Sequence, residues 1–425
     1  MLTCFSLLVF DYSINKKIYS PAFILNIIFL FIIFLTMVNP SDLTTIHIRT
    51  YLIILLGIIS FNLGQILSKR TIKKHNKQAV NQNNRFEINN HRYKRLIIIA
   101  LIFSSIMLKN SLNIILHGGG LAEIYQERIA SSYVDNTLMD SSPIEASIIN
   151  YISNPLVALS TVVSIILFYK TSKFKYLIIS FVFLLIQSFS TGGRSNMIYY
   201  IIYISVGLFS VKNIKQLIKR YIKYIIILMI LLIFLGIYFI TERQTDIFKT
   251  IVSYFGYPIY HLDYKLNQLY DLNYTFGLTS FMSIFNLLDY PLRLFGFKEW
   301  VLLTNAKDMI YYADATANLG NGINYNAFVT CFYHFYVDGG YIGVFILSLF
   351  FGMFSGWCFY RFIYEKNNDF FQILFYLSFA CPVVFSFVRF QYCNAMIPFA
   401  LIYSYLILFR KKTFKFTIKE KNNKI

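Results

Sequence analysis

Residues 22–38 read AFILNIIFLFIIFLTMV, an unbroken run without one charged side chain. A hydrocarbon core of about 30 Å is crossed by about 20 helical residues, with a range of roughly 17–25, so this run reads as a membrane-spanning helix. Working outward from it, apolar stretches near 51–67, 96–116, 148–169, 176–190, 196–211, 224–240, 341–360, 370–388 and 395–409 take the same reading. Several are at the short end and need interfacial flanks to span. Residues 1–10 are also apolar and would add a short helix. They lack a basic leader and a small-residue cleavage site, which argues against a cleaved signal peptide. Composition agrees: 57% of residues are apolar and 14% charged, where soluble domains carry roughly 25% charged. The expected fold is an all-α polytopic membrane protein of about 10 transmembrane helices, or 11 if residues 1–10 form one. Residues 1–425 form a single transmembrane helical domain in this reading, and 241–340 a large extracytoplasmic (periplasmic) segment before the last three spans.

Orientation follows from Lys and Arg. The formal net charge is +19, a value that could suggest nucleic acid, but the basic residues lie in short runs between apolar segments. Lys69, Arg70, Lys73, Lys74, Lys77, Arg85, Arg92, Lys94 and Arg95 stand against Glu87 alone in 68–95. Further runs are Lys170/Lys173/Lys175, Lys212/Lys215/Lys219/Arg220/Lys223 and the tail from Arg410 to Lys424. With ten alternating spans all four fall on one side, joined by Lys16 and Lys17, and the positive-inside bias makes that side cytoplasmic. The stretch 241–340 carries six basic residues and nine acidic ones, and faces outward.

Residues 76–91 are polar and Asn-rich, a solvated linker. In 247–264, Tyr254, Tyr257, His261 and Tyr264 recur at helical spacing, which predicts an amphipathic helix lying at the interface, with Pro258 kinking or breaking it. The five cysteines include no CxxC pair and mostly fall in or beside apolar segments; they read as packed or lipid-facing thiols rather than a metal site or disulfide framework.

Four groups of residues could carry chemistry. In Thr191-Gly192-Gly193-Arg194-Ser195-Asn196, a very short outward turn between two spans, Gly192 and Gly193 permit close backbone approach. Arg194 opens the next helix beside the Ser195 cap. A helix start with an adjacent guanidinium suits an anion; the alternative is an arginine that snorkels to the headgroups. Arg389, between the last two spans, also lies outward, and an arginine at such a place usually has a partner or a ligand. In 330–343, Tyr333, His334 and Asp338-Gly339-Gly340 precede a long apolar span; Asp338 reads either as a base or as the N-cap of the span beginning near Tyr341. His261 and His334 read as a base or as packed interfacial histidines. The loop His117-Gly118-Gly119-Gly120, with Tyr125 and Arg128 beyond, either admits an anion to its backbone or ends a helix. No HExxH, P-loop or GxSxG pattern occurs.

These motifs, in this order, resemble the Wzy-type O-antigen and oligosaccharide repeat-unit polymerases of bacteria. The resemblance spans nearly the whole chain in topology and a few dozen residues in motif. It implies transfer of a growing glycan from one undecaprenyl-diphosphate carrier onto the sugar unit of another, at the outer face of the bacterial inner (cytoplasmic) membrane. Negative charge develops on the leaving diphosphate, and fixed cations stabilise it: Arg194 and Arg389 first, Arg128 and Arg243 behind them. Asp338, His334 or His261 would accept the proton of the attacking hydroxyl. Gly192, Gly193 and Ser195 would contact substrate. No cofactor or metal is required, since arginines can do the leaving-group work. Implied partners are the undecaprenyl-diphosphate-linked oligosaccharide, membrane lipid, a chain-length regulator and a flippase, but no nucleic acid. A flippase is the competing reading. It would show paired halves and midplane charges, and the sequence has neither.

Overall fold

A computed structural model describes residues 1–38, 43–76, 86–117, 119, 123–124, 143–191, 195–210, 247–269, 273–298, 300–326, 328–365 and 368–409. Helices account for most of them: α1 (Leu2–Asn15), α2 (Pro21–Val38), α3 (Ile48–Asn76), α4 (Asn90–Leu116), α5 (Pro143–Ile148), α6 (Asn154–Thr171), α7 (Phe174–Thr191), α8 (Ser195–Ser210), α9 (Ile247–Gly256), α10 (Pro258–Asn267), α11 (Met282–Leu294), α12 (Val301–Asp314), α13 (Thr330–Tyr364), α14 (Asp369–Ser378) and α15 (Met396–Tyr403). Wider π turns join α5 to α6 and extend α14 and α15. The one sheet among the described residues is a two-strand ladder, Ala317 paired with Tyr325 and Asn318 with Asn324.

Among the described residues, four helices are long and apolar enough to cross a membrane, Pro21–Val38, Ile48–Ile72, Ile144–Thr171 and Thr330–Tyr364, and five shorter apolar helices accompany them. The apolar stretch 1–10 does form a helix, α1. The expected span at 224–240 lies outside the described residues. Helix α6 is enclosed on every side, with all residues from Pro155 to Tyr169 buried. The five cysteines are all free and buried.

The most extensive seam joins α3 to α13, and glycine makes it possible. A side chain on Gly64 would strike the Leu349 carbonyl, and one on Gly352 the Phe61 carbonyl. Gly352 and Gly356 thus form a small-xxx-small stripe that lets two backbones touch, the usual device where lipid supplies no hydrophobic drive between helices. Asn26 and Asn62 exchange amide hydrogen bonds at 3.0 Å across α2 and α3.

Basic side chains gather at one end of the bundle and tie helix ends together there. Lys69 donates to the Ile14 carbonyl at 2.9 Å, Arg92 to the Leu408 carbonyl at 2.7 Å, and Lys170 pairs with Asp369. The ends of α1, α3, α6 and the last helix, with the starts of α4 and α14, therefore share one rim. The start of α3 and the start of α13 lie at the far end.

One expectation needs correction and one refinement. Pro258 does break the predicted helix, with α9 ending at Gly256 and α10 starting at Pro258, but the aromatic face of the pair is not left free for an interface. Its aromatic face is covered by the 317–328 hairpin: Tyr254 stacks on Phe328 at 5.1 Å, and Tyr257 and His261 meet the Tyr325 ring at 5.6 and 5.3 Å. The span read as beginning near Tyr341 is the second leg of α13, and a separate buried leg from Thr330, carrying His334 and Asp338, precedes it across a break at Gly339 and Gly340.

Candidate functional site

Helix α13 has two legs. Backbone geometry is non-helical at Gly339 and Gly340. Gly340 has φ +60°, and a Cβ there would lie 2.7 Å from the Tyr274 hydroxyl, so the position requires glycine twice over. The break frees two carbonyls of the first leg. Thr275 N–H donates to Val337 O at 3.2 Å and Phe276 N–H to Asp338 O at 3.0 Å. The Asp338 carboxylate then closes the same turn: Oδ1 accepts from Thr275 Oγ1 at 2.6 Å and Thr279 N at 3.0 Å, and Oδ2 from Ser280 N at 3.0 Å. Asp338 does act as a cap, yet of the turn that leads into α11 rather than of its own helix.

His334, one turn earlier, is fully buried. Neither of its ring nitrogens completes a hydrogen bond among the described residues, although the Thr279 backbone lies alongside and Arg389 is within electrostatic range. Two backbone bonds hold Arg389 there: Val329 N–H to Val388 O at 3.1 Å and Cys331 N–H to Ser386 O at 2.7 Å. Thr330 between them adopts φ +66°, a strained backbone for a β-branched residue. The partner that Arg389 was expected to have is Asp314, gripped by both arms of the guanidinium at 2.8 and 3.3 Å.

Asp314 ends α12, and a second cation meets that end. Lys265 is buried, donates to the Ala315 carbonyl at 2.8 Å and lies 4.2 Å from the centre of the Tyr312 ring. A helix C-terminus concentrates negative potential, which suits both cations. Burial still pushes the Lys265 amine down to about 8, the nearby Asp314 opposing the shift. His261 lies one turn before Lys265 on α10. Its Nδ1 is 3.0 Å from the Phe328 carbonyl, which assigns the proton to Nδ1. Burial is the main reason its pKa falls to about 4, and the Lys265 charge adds to the effect.

His261, Lys265, Asp314, Arg389, His334 and Asp338 therefore form one linked run from α10 to α13. Four of the residues nominated from sequence belong to it, and Lys265 and Asp314 join them. Of the others, Arg128, Gly192, Gly193, Arg194 and Arg243 lie outside the described residues, and Ser195 is described only as the first residue of α8. Tyr199, one turn into α8, meets the Phe385 ring at 4.4 Å and is within electrostatic range of Arg389. The start of α8 is thus at this same end.

Sequence reading missed Arg49. It opens α3 at the far end, donates to the Tyr336 hydroxyl and lies 5.2 Å from the centre of that ring. No carboxylate pairs with it among the described residues. The signal was present: like Arg194, it is an arginine beside an apolar run at an end that the charge bias would leave poor in cations. Asp263 holds the same helix start, accepting from His47 N at 3.0 Å and Thr50 Oγ1 at 2.6 Å. Comparison with protein-family models, with curated proteins and with solved structures found no match.

Proposed function

We propose that this chain is a membrane glycosyltransferase that polymerises oligosaccharide repeat units, moving a glycan from one undecaprenyl-diphosphate carrier onto the sugar of another. In this reading it crosses the bacterial inner membrane about ten times, with the basic rim in the cytoplasm and the far end on the outer face. The observation that carries the proposal is the linked run of six ionisable groups, four of them buried and the Arg389–Asp314 pair partly so, at the end of the bundle opposite the basic rim.

The chemistry assigns these groups different tasks. As the acceptor hydroxyl forms its bond to the anomeric carbon, the bond from that carbon to the diphosphate oxygen breaks and the diphosphate leaves with the electron pair. Arg49, whose hydrogen-bond and ring partner among the described residues is Tyr336 and not a carboxylate, supplies positive charge for that leaving group, and Arg194 is assigned the same role. Arg389 has its fork engaged by Asp314 and positions His334. His334, whose two ring nitrogens complete no hydrogen bond among the described residues, accepts the proton of the attacking hydroxyl. Asp338 is committed to the 275–280 turn. A flippase reading would place charges midway along the spans, whereas the ion pairs described here lie towards helix ends. Deleting the gene should leave surface lipid capped with single repeat units in place of a ladder. If no units reached the outer face, the flippase reading would replace this one.

A further inference from the structure

Helix α11 is built inside out. Ser283 and Asp289 turn inward and are buried, Ser283 donating to the Tyr392 carbonyl at 3.5 Å. Ile284, Leu287 and Leu288, at the i, i+3, i+4 spacing of one helix face, are 38, 39 and 54% exposed. Water would favour the reverse arrangement, because apolar area gains about 25 cal/mol per Å² on burial while buried polar groups cost free energy. The apolar surface continues past the helix, with Phe295 81%, Phe297 63% and Trp300 45% exposed. Contiguous apolar patches of this kind mark contact surfaces.

The level of this surface in the molecule indicates what covers it. The turn before α11 is hydrogen-bonded to Val337 and Asp338 at the break in α13. The second leg starts there at Tyr341, and its outward residues Ile342, Phe345 and Ile346 belong to one of the four helices suited to cross a membrane. The exposed face of α11 thus begins where that apolar surface begins. A cleft of about 440 Å³, lined by Phe276, Leu278, Phe285, Trp300, Val301 and Leu302 with Thr275, has the volume of a small-molecule site, yet its walls are almost entirely carbon. An apolar segment of only 10–14 residues in a membrane protein suits an interfacial or re-entrant element, and tryptophan beside lysine, here Trp300 and exposed Lys298, is a pattern of the headgroup level.

We propose that α11, Phe295, Phe297 and Trp300 are immersed in the lipid leaflet at the far end of the bundle, the cleft taking acyl chains of bulk membrane lipid. Thr275, Thr279 and Ser280, which hold Asp338, are thereby fixed at the bilayer surface, and the inference stands apart from the glycan reading. The chain has two tryptophans, Trp300 and Trp357. Full-length Trp357→Phe protein, reconstituted in phosphatidylcholine vesicles, leaves Trp300 as the only indole. Its emission should be blue-shifted, fall by at least half when the lipid is brominated near the glycerol end of its chains, and resist aqueous iodide. Quenching by iodide instead of brominated lipid would show a face open to water and overturn the proposal. Protection from both would show a face covered by protein and overturn it equally. Should Trp357→Phe fold poorly, the comparison of wild type with Trp300→Phe answers the same question, since the loss of Trp300 should remove most of the shallow quenching.

Discussion

Two arginine–carboxylate pairs sit at opposite ends of α13, and they are equally shielded: the arginine side chain is 26% and the carboxylate side chain 29% exposed in each. Arg361 and Glu365 are four residues apart on one helix at the basic rim. Arg389 and Asp314 are 75 residues apart and join the end of α12 to the segment before α15, with both arms of the guanidinium engaged. Exposure alone would rate the pairs alike. The local pair neutralises charges the helix already brings together, whereas the distant pair fixes where a whole segment lies, and with it the surroundings of His334. What a charge contributes here depends on how much chain its partner anchors.

The largest effect is expected at Arg49, which sharpens the contrast because it has no carboxylate partner among the described residues. Losing one preorganised donor to a leaving group costs about 2.7–4 kcal/mol, on the order of 10²–10³ in rate. Arg49→Ala should therefore abolish long chains in a complemented deletion strain at normal protein level, and Arg49→Lys should fail as well, lacking the planar fork. Normal ladders from both would remove Arg49 from the site. Next, Arg389→Ala should lower stability by about 2–3 kcal/mol, below the full penalty of a wholly buried pair because a quarter of the side chain meets solvent. Asp314→Ala should behave similarly and the double variant little worse than either, a coupling that unfolding in detergent can read. Additive losses would break the comparison.

His261 supplies a pH test. Its folded pKa of about 4 lies below the ordinary 6.5, so the folded state binds fewer protons between those values. Stability should be complete above pH 6.5 and fall as pH drops, by about 2 kcal/mol at pH 5. His261→Gln should flatten that slope; an unchanged profile would mean the imidazole is not excluded from water. The smallest effect belongs to Arg361→Ala, below about 0.5 kcal/mol by the same unfolding assay.

Much of the fold was legible because span signals are local. The run at 22–38 became Pro21–Val38, and Pro258 broke its helix where expected. The site was legible in part. Arg389 announced that it needed a partner, but nothing near it in sequence named Asp314, and Asp338 capped a turn about 60 residues upstream, which no spacing rule reaches. The same limit hid α11. Its polar residues Ser283 and Asp289 face inward because Tyr392 and the kinked α13 place protein on that side, which no local pattern announces. The aromatic face of 247–264 was read as interfacial for the mirrored reason, since the hairpin that covers it lies downstream.

The seam between α3 and α13 has a mechanical consequence. With backbone against backbone at Gly64 and Gly352, neither helix can slide or rotate without collision, so α3 and the second leg of α13 behave as one stiff beam with Arg49 riding on its end. The first leg of α13 is attached to that beam through two glycines. The first leg packs on the same beam, Phe332 against Gly57 and Tyr336 against Arg49, so a displacement of His334 and Asp338 about the Gly339–Gly340 joint would have to part those contacts first.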